Sequence, residues 1–237
     1  MKAGRPTAPC LFLYLPGYST DIMNHTTFLL VPGLRVETFN IEQLELLTHV
    51  LRDHHVDGVK FTAAGRLRVS GIDRQQLDVI AEALQPLANG PVTSWITTIQ
   101  ACPGKEGCRY GTRNGEELAA RIEAITFPIP PPAKIKIGIA GCSMCCTEPY
   151  VRDIGLLAEQ KGWKLIFGGN AAGRPRIGDT IAEGLSDDEV IELVQRCLTV
   201  YVHHAKPKMR TARFMESFGV EDFHRKLFDE DIGDTNA

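Results

Sequence analysis

Five of the seven cysteines crowd into one stretch, as Cys102, Cys108, Cys142, Cys145 and Cys146. Thiolates bind metals and clusters, and a chain of this size needs no disulfide staples, so an odd number of cysteines grouped in this way points to metal ligation or redox chemistry in a reducing compartment. Cys102 and Cys108 are separated by Pro-Gly-Lys-Glu-Gly, and Cys142 and Cys146 by Ser-Met-Cys. Four thiolates from two loops suffice for an all-cysteine site. Structural zinc takes pairs spaced by about two to four residues, which the first loop exceeds. A cubane iron-sulfur cluster is larger and suits a wider loop. Cys142 and Cys145 do have zinc-like spacing, so zinc stays open, as do unligated core thiols. Cys10 and Cys197 stand alone and are expected to pack in the interior.

The elements that must position these residues follow from pattern. The 237 residues, 43% hydrophobic and 23% charged, describe one large or two small globular domains. A net charge of -3 argues against nucleic acid as the main partner. The apolar run Cys10 to Leu15 is far short of the roughly 20 residues that span a bilayer, so no membrane is expected and the cytoplasm is the expected location. Residues 1–25 read as an arm without periodicity. Residues 26–90 read strand, helix, two strands, helix, with strands at Thr26–Val31, Gly58–Thr62 and Leu67–Val69 and apolar helix faces from Ile41 to Leu51 and Ile72 to Leu84. That order predicts a small antiparallel sheet with helices on one face. Residues 91–205 begin with a strand at Ser94–Gln100 and a helix over 115–125. The proline run 128–132 then leads to a strand at Ile135–Ala140 that runs into Gly141-Cys142. A hairpin is expected from Asp153–Leu157 and Trp163–Phe167, and Ser186-Asp-Asp-Glu189 is a capping box that opens another helix. Residues 206–237 read as one or two surface helices and a polar tail. The fold class is therefore α+β.

The cysteine pairs in context resemble a known family. Cys102-Pro-Gly-Lys-Glu-Gly-Cys108 followed by Gly141-Cys142-Ser-Met-Cys145-Cys146 is similar to the two cysteine pairs of the sulfite and nitrite reductases that couple siroheme to a 4Fe-4S cluster. Tyr150-Val-Arg-Asp153-Ile-Gly155, Gly162-Trp-Lys-Leu, Phe167-Gly-Gly-Asn170 and Arg174-Pro-Arg-Ile-Gly178 resemble the segments that follow in that family, and Val59 to Ile72 resembles the hairpin of its ferredoxin-like subdomain. The resemblance implies a ferredoxin-like subdomain followed by an α/β subdomain that binds siroheme and the cluster. Larger members carry this pair of subdomains twice, and this chain looks like a half-size, low-molecular-weight form of the assimilatory sulfite reductase type. It implies that Cys102, Cys108, Cys142 and Cys146 ligate the cluster, that Cys146 bridges to the siroheme iron, and that Cys145 packs beside it. The chain departs from the family pattern in placing Thr147 after the last cysteine, where glycine or alanine is common, and Ala64 rather than arginine two residues after Thr62.

The implied activity is six-electron reduction of sulfite to sulfide, with nitrite to ammonia as a related capacity. Side chains cannot store electrons, so cofactors must. Siroheme carries many carboxylates and the substrate is an anion, so cations should line the site. Strand side chains alternate, which puts Lys60 and Thr62 on one face and Arg66 and Arg68 on one face of the next strand; the three cations are the catalytic candidates, against the alternative of a solvated sheet face. Thr62, Arg109, Arg174 and Arg176 are candidates for holding siroheme, with Lys105 and Arg113 as further cations, since guanidinium groups pair bidentately with carboxylates. Gly168, Gly169 and Asn170 allow close backbone approach to a flat ligand, or form a tight turn. No dinucleotide fingerprint is present, so electrons are expected from an external donor protein such as a ferredoxin. A homodimer is one source of cover for a less enclosed siroheme. An iron-sulfur electron carrier or redox sensor without siroheme is the alternative function.

Overall fold

Leu67 and Val69 alternate onto one side of a strand and are almost wholly buried, as is Ile72 past the irregularity at Gly71, and this fixes which face of the first sheet is core. The computed structural model describes residues 27–35, 39–61, 66–72, 74–87, 96–127 and 129–228. The expected arm and polar tail lie outside them. Strands β1 (Thr27–Arg35), β2 (Gly58–Phe61) and β3 (Arg66–Ile72) form an antiparallel sheet in the order β1-β3-β2. Helix α1 (Ile41–Asp53) starts at Asn40, whose side chain accepts from the Gln43 amide while Gln43 returns the bond, a reciprocal cap. Helix α2 (Leu77–Ala83) lies between two single-turn 3-10 segments. Leu47 and Val50 of α1, Ile80 of α2, and Leu84 and Leu87 beyond it close over the sheet as one core.

The second sheet has its own, larger core. Strands β4 (Ile96–Ala101), β5 (Ile135–Ala140), β6 (Ile154–Ala158), β7 (Trp163–Phe167) and β8 (Asp179–Leu185) lie side by side in chain order. The first three are parallel; β7 and β8 continue antiparallel. Every residue of β6 is buried, as expected of a strand covered on both faces. The expected hairpin is the β6–β7 pair. Strand β8 has no apolar alternation in its sequence, since only Ile181 in it is buried. It is an edge strand, bonded to a neighbour on one side only, so its polar residues cost little.

Helix α3 (Gly104–Gly107) is a single turn between the first two cysteines, and α4 (Gly115–Glu123) packs Leu118 and Ile122 onto the second sheet. Helix α5 (Asp187–His204) begins with the expected Ser186–Glu189 capping box. Helices α6 (Thr211–Phe218) and α7 (Val220–Phe228) correct the expectation of surface helices. Phe214, Met215, Phe223 and Leu227 are buried in the main core, and the Phe223 ring stacks on Phe167 of β7 at 5.0 Å. Both helices are amphipathic, and their aromatic faces finish the sheet's covering.

Candidate functional site

Both cysteine pairs leave the second sheet from one edge. Strands β4 and β5 are parallel neighbours with Ala101 in register with Ile139, so Cys102 follows one strand and Gly141-Cys142 the other at the same carboxyl end. Open sheets bind ligands in this crevice. The two loops meet backbone to backbone. Gly104 has φ +56, a conformation that suits glycine, and a Cβ on Gly141 would lie 2.7 Å from the Gly104 Cα and 2.8 Å from the Arg113 carbonyl oxygen. The Gly141 amide donates to Cys102 Sγ at 3.0 Å, while the Gly141 carbonyl accepts from the Thr112 amide at 2.8 Å and the Thr112 hydroxyl at 3.0 Å.

All six described cysteines are free thiols; Cys142 is buried, Cys102 and Cys108 are half-buried, and Cys146 is exposed. Cys145 is half-buried and packs against the cluster of Ala140, Leu157 and Ile166. Burial, then the neighbouring Cys142 and Cys146, pushes its thiol up from the ordinary value. Cys145 has φ +54 and Glu148 φ +56, so the second loop doubles back twice within four residues. Among the described residues no three His, Cys, Asp or Glu side chains converge on a point that would hold a single metal ion. Tetrahedral zinc needs its donors at about 2.3 Å, and hence packed together. A 4Fe-4S cluster takes each thiolate on a different iron, and thiols carried on two facing loops are the donor chemistry it uses. Cys197 is fully buried on α5, as expected of an isolated packing thiol.

The basic candidates fall into three groups. Lys60 and Arg68 are directly paired across β2 and β3, and since the flanking Leu67 and Val69 point into the core, this pair occupies the opposite face of the first sheet. Arg66 opens β3; its side chain and the whole of Thr62 lie outside the described residues. Near the first cysteine pair, Arg109 is exposed with its guanidinium 4.5 Å from the centre of the Tyr110 ring. Arg113 is half-buried with a buried Nε that has no protein acceptor, an atom suited to a carboxylate. The third group holds a β-bridge between Asn170 and Arg176. Arg176 donates to the Gly168 carbonyl at 2.9 Å and pairs with Asp179 at 2.6 Å, and the Asn170 side chain donates to the Arg174 carbonyl at 2.7 Å. Arg174 is mostly exposed and pairs with Glu216 of α6 at 2.9 Å. A Cβ on Gly169 would lie 2.5 Å from the carbonyl oxygens of both Tyr150 and Arg152, so what approaches this glycine closely is the protein's own backbone.

Two residues next to the cysteine loops, both inside the segment Tyr150 to Gly155 that resembles the family, have no role assigned by the sequence. Asp153 is 1% exposed, where the sequence suggested only the start of a strand. It accepts from the Arg210 guanidinium, the Thr211 hydroxyl at 2.6 Å and the Lys136 amide at 2.9 Å, and so ties the start of α6 to the sheet. Arg152 beside it bonds the Thr147 carbonyl and Gln100. A lone Asp or Arg at the head of an apolar strand looks like any surface charge, and only the three-dimensional neighbours distinguish it. Among the described residues no helix is long and apolar enough to cross a membrane.

Comparison with known proteins bears directly on this arrangement. Residues 93–235 match the model of the nitrite and sulphite reductase 4Fe-4S domain, a span that contains both cysteine loops and the whole second sheet. The chain is 35% identical over 195 residues to an assimilatory-type sulfite reductase of Nitratidesulfovibrio vulgaris, covering 82% of this chain and 89% of that one. It is 25% identical over 209 residues to the nitrite reductase [NAD(P)H] of Bacillus subtilis, covering 88% of this chain and 26% of that one. The fold is like that of the Mycobacterium tuberculosis NirA protein, with a TM-score of 0.64 at 20% identity, over 84% of this chain and 39% of that one. It is also like that of dissimilatory sulfite reductase I, with a TM-score of 0.69 at 12% identity, over 88% of this chain and 70% of that one. With its cysteine loops inside the matched span and a relative of nearly the same extent, the chain belongs to the nitrite and sulphite reductase 4Fe-4S domain family, a family of oxidoreductases.

Proposed function

We propose that this chain reduces sulfite to sulfide, with Cys102, Cys108, Cys142 and Cys146 as the ligands of a 4Fe-4S cluster and siroheme seated against Cys146. The observation that carries the reading is the meeting of the two cysteine loops at the shared carboxyl edge of β4 and β5, in a chain that spans 89% of an assimilatory-type sulfite reductase. Bound there, the two groups supply what no side chain can, the storage and delivery of the six electrons that, with seven protons, convert sulfite to hydrosulfide and three waters.

The chain's own residues do the rest. The Gly141 amide places a hydrogen-bond donor on the Cys102 sulfur and so fixes where that sulfur sits. Cys146 is exposed, so its thiolate would be accessible to siroheme as well as to the cluster. The unpaired Nε of Arg113 and the exposed guanidinium of Arg109 offer donors for carboxylates of the macrocycle. Lys60 and Arg68, side by side on one sheet face, provide the positive field that an oxyanion needs. Arg174, Arg176, Asn170 and Gly169 shape the loop that borders the site, Arg176 as an internal brace and Arg174 with its head outward. Electrons come from an external donor protein of the ferredoxin kind, in the cytoplasm, and a second copy of the chain is a candidate for covering the open side of the siroheme.

Steady-state rates with a reduced artificial one-electron donor test the substrate. The specificity constant for sulfite should exceed that for nitrite. A much higher constant for nitrite would reverse the assignment, and the nitrite reductase relative from Bacillus subtilis makes nitrite the competing substrate to measure.

A further inference from the structure

Arg152 reaches from the head of β6, across β5, to β4. Gln100, Gly138 and Gly155 are in register on those three strands, and neither of the last two has a side chain to block the way. A Cβ on Gly138 would lie 2.8 Å from the Arg152 Cγ and 2.7 Å from the Thr147 carbonyl oxygen. Over this gap the Arg152 Nε donates to the Thr147 carbonyl at 3.2 Å and its Nη2 to the Gln100 Oε1 at 2.6 Å, with Glu148 Oε2 at 3.1 Å. Thr147 directly follows Cys146, and Gln100 stands two residues before Cys102. One largely buried guanidinium, its side chain 17% exposed, therefore joins the chain just past one cysteine pair to the chain just before the other.

We propose that Arg152 is the positioning residue that sets where Cys146 stands relative to Cys102, and through that spacing the electronic environment of the cluster. The inference rests on the cluster assignment made above. Three acceptors, two in the second cysteine loop and one on β4, are held at fixed angles because the guanidinium is a rigid planar fork; an ammonium of equal charge has no such geometry. Groups outside the ligand shell that orient ligands commonly change metal affinity by about ten- to a hundredfold when removed. Arg152 touches neither substrate nor cofactor in this account and acts only through the loop it holds.

The test uses the full chain, reconstituted anaerobically with iron and sulfide, as wild type and as Arg152→Ala, Arg152→Lys, Gln100→Leu and the Arg152→Ala/Gln100→Leu pair. The readouts are the rate of iron loss to a chelator, the electron paramagnetic resonance spectrum of the reduced cluster and its midpoint potential. Gln100→Leu leaves the bond to Thr147 in place and breaks the link from Arg152 to β4. It should shift spectrum and potential in the same direction as Arg152→Ala, with iron lost on the order of tenfold faster in the latter. The paired variant should be no worse than Arg152→Ala alone, and Arg152→Lys should not restore the wild-type spectrum. If Arg152→Ala does not fold, Gln100→Leu and Arg152→Lys decide the matter by the same readouts. A loaded wild type whose variants lose thermal stability while keeping its spectrum, potential and iron retention would overturn the positioning role alone. A wild-type chain that takes up no cluster would overturn both this role and the assignment beneath it.

Discussion

The amide of Gly141 donates to the sulfur of Cys102 at 3.0 Å, so the backbone of the second cysteine loop is bonded to the first cysteine of the other loop. This contact exists because Gly141 and Gly104 let the loops touch. A side chain at Gly141 would force apart the two backbones that carry the cysteines. Gly141→Ala should therefore yield protein that folds but retains much less cluster iron than wild type, measured as iron per chain after gel filtration.

The five clustered cysteines should separate into four and one. Removing a thiolate ligand opens a cluster, whereas removing a packing thiol leaves only a small cavity. Cys102→Ser, Cys108→Ser, Cys142→Ser and Cys146→Ser should each lose cluster iron, and Cys145→Ser should keep it. Normal iron in the Cys102 variant would remove the first loop from the site.

Asp153 should be a stability residue. Its carboxylate is buried, and Asp153→Ala would strand the Arg210 guanidinium and the Thr211 hydroxyl at the start of α6. Breaking a buried pair from one side costs about 3 kcal/mol or more, somewhat less here because Arg210 is 26% exposed. A lowered urea midpoint with an unchanged slope is the expected result.

The cap of α5 gives a pH signature. Bonds from the Ser186 amide and hydroxyl hold the Glu189 carboxyl below its ordinary value of 4.5. A depressed folded value means the stabilisation is fully present above the ordinary value and disappears as pH falls through the folded one. The difference in thermal midpoint between wild type and Ser186→Ala should therefore be constant near neutrality and shrink in acid below that value.

Lys60 and Arg68 separate a catalytic field from a solvated sheet face. Losing one preorganised electrostatic contact commonly costs on the order of a hundredfold in turnover, while a solvated charge changes activity hardly at all. Lys60→Ala and Arg68→Ala should lower sulfite turnover per bound siroheme. Near-normal turnover at full occupancy in both would move the substrate role to Arg109 and Arg113.

How much of this was legible beforehand depended on whether a residue's role is local. The β5 strand, the Ser186 cap and the cysteine spacing are written in adjacent residues, and they were read with almost the observed bounds. The β8 strand was not, because an edge strand needs little burial and leaves no alternating pattern. Helices α6 and α7 look like surface helices in sequence because their charged faces mask Phe214 and Phe223, whose burial depends on distant partners, Tyr201 for Phe214 and Phe167 for Phe223. The basic residues were visible as charges, yet charge alone could not tell Arg176, braced against Asp179, from Arg174, turned outward to Glu216. Arg152 and Asp153 work through partners on three different elements, which is information that spacing does not contain.

The visible absorption spectrum of the purified protein tests the central claim most directly. A siroheme coupled to a 4Fe-4S cluster should give a Soret band together with a band in the red region. A broad brown shoulder without a Soret band would make the chain an iron-sulfur carrier or sensor, and a colourless protein containing zinc would contradict the cluster assignment altogether.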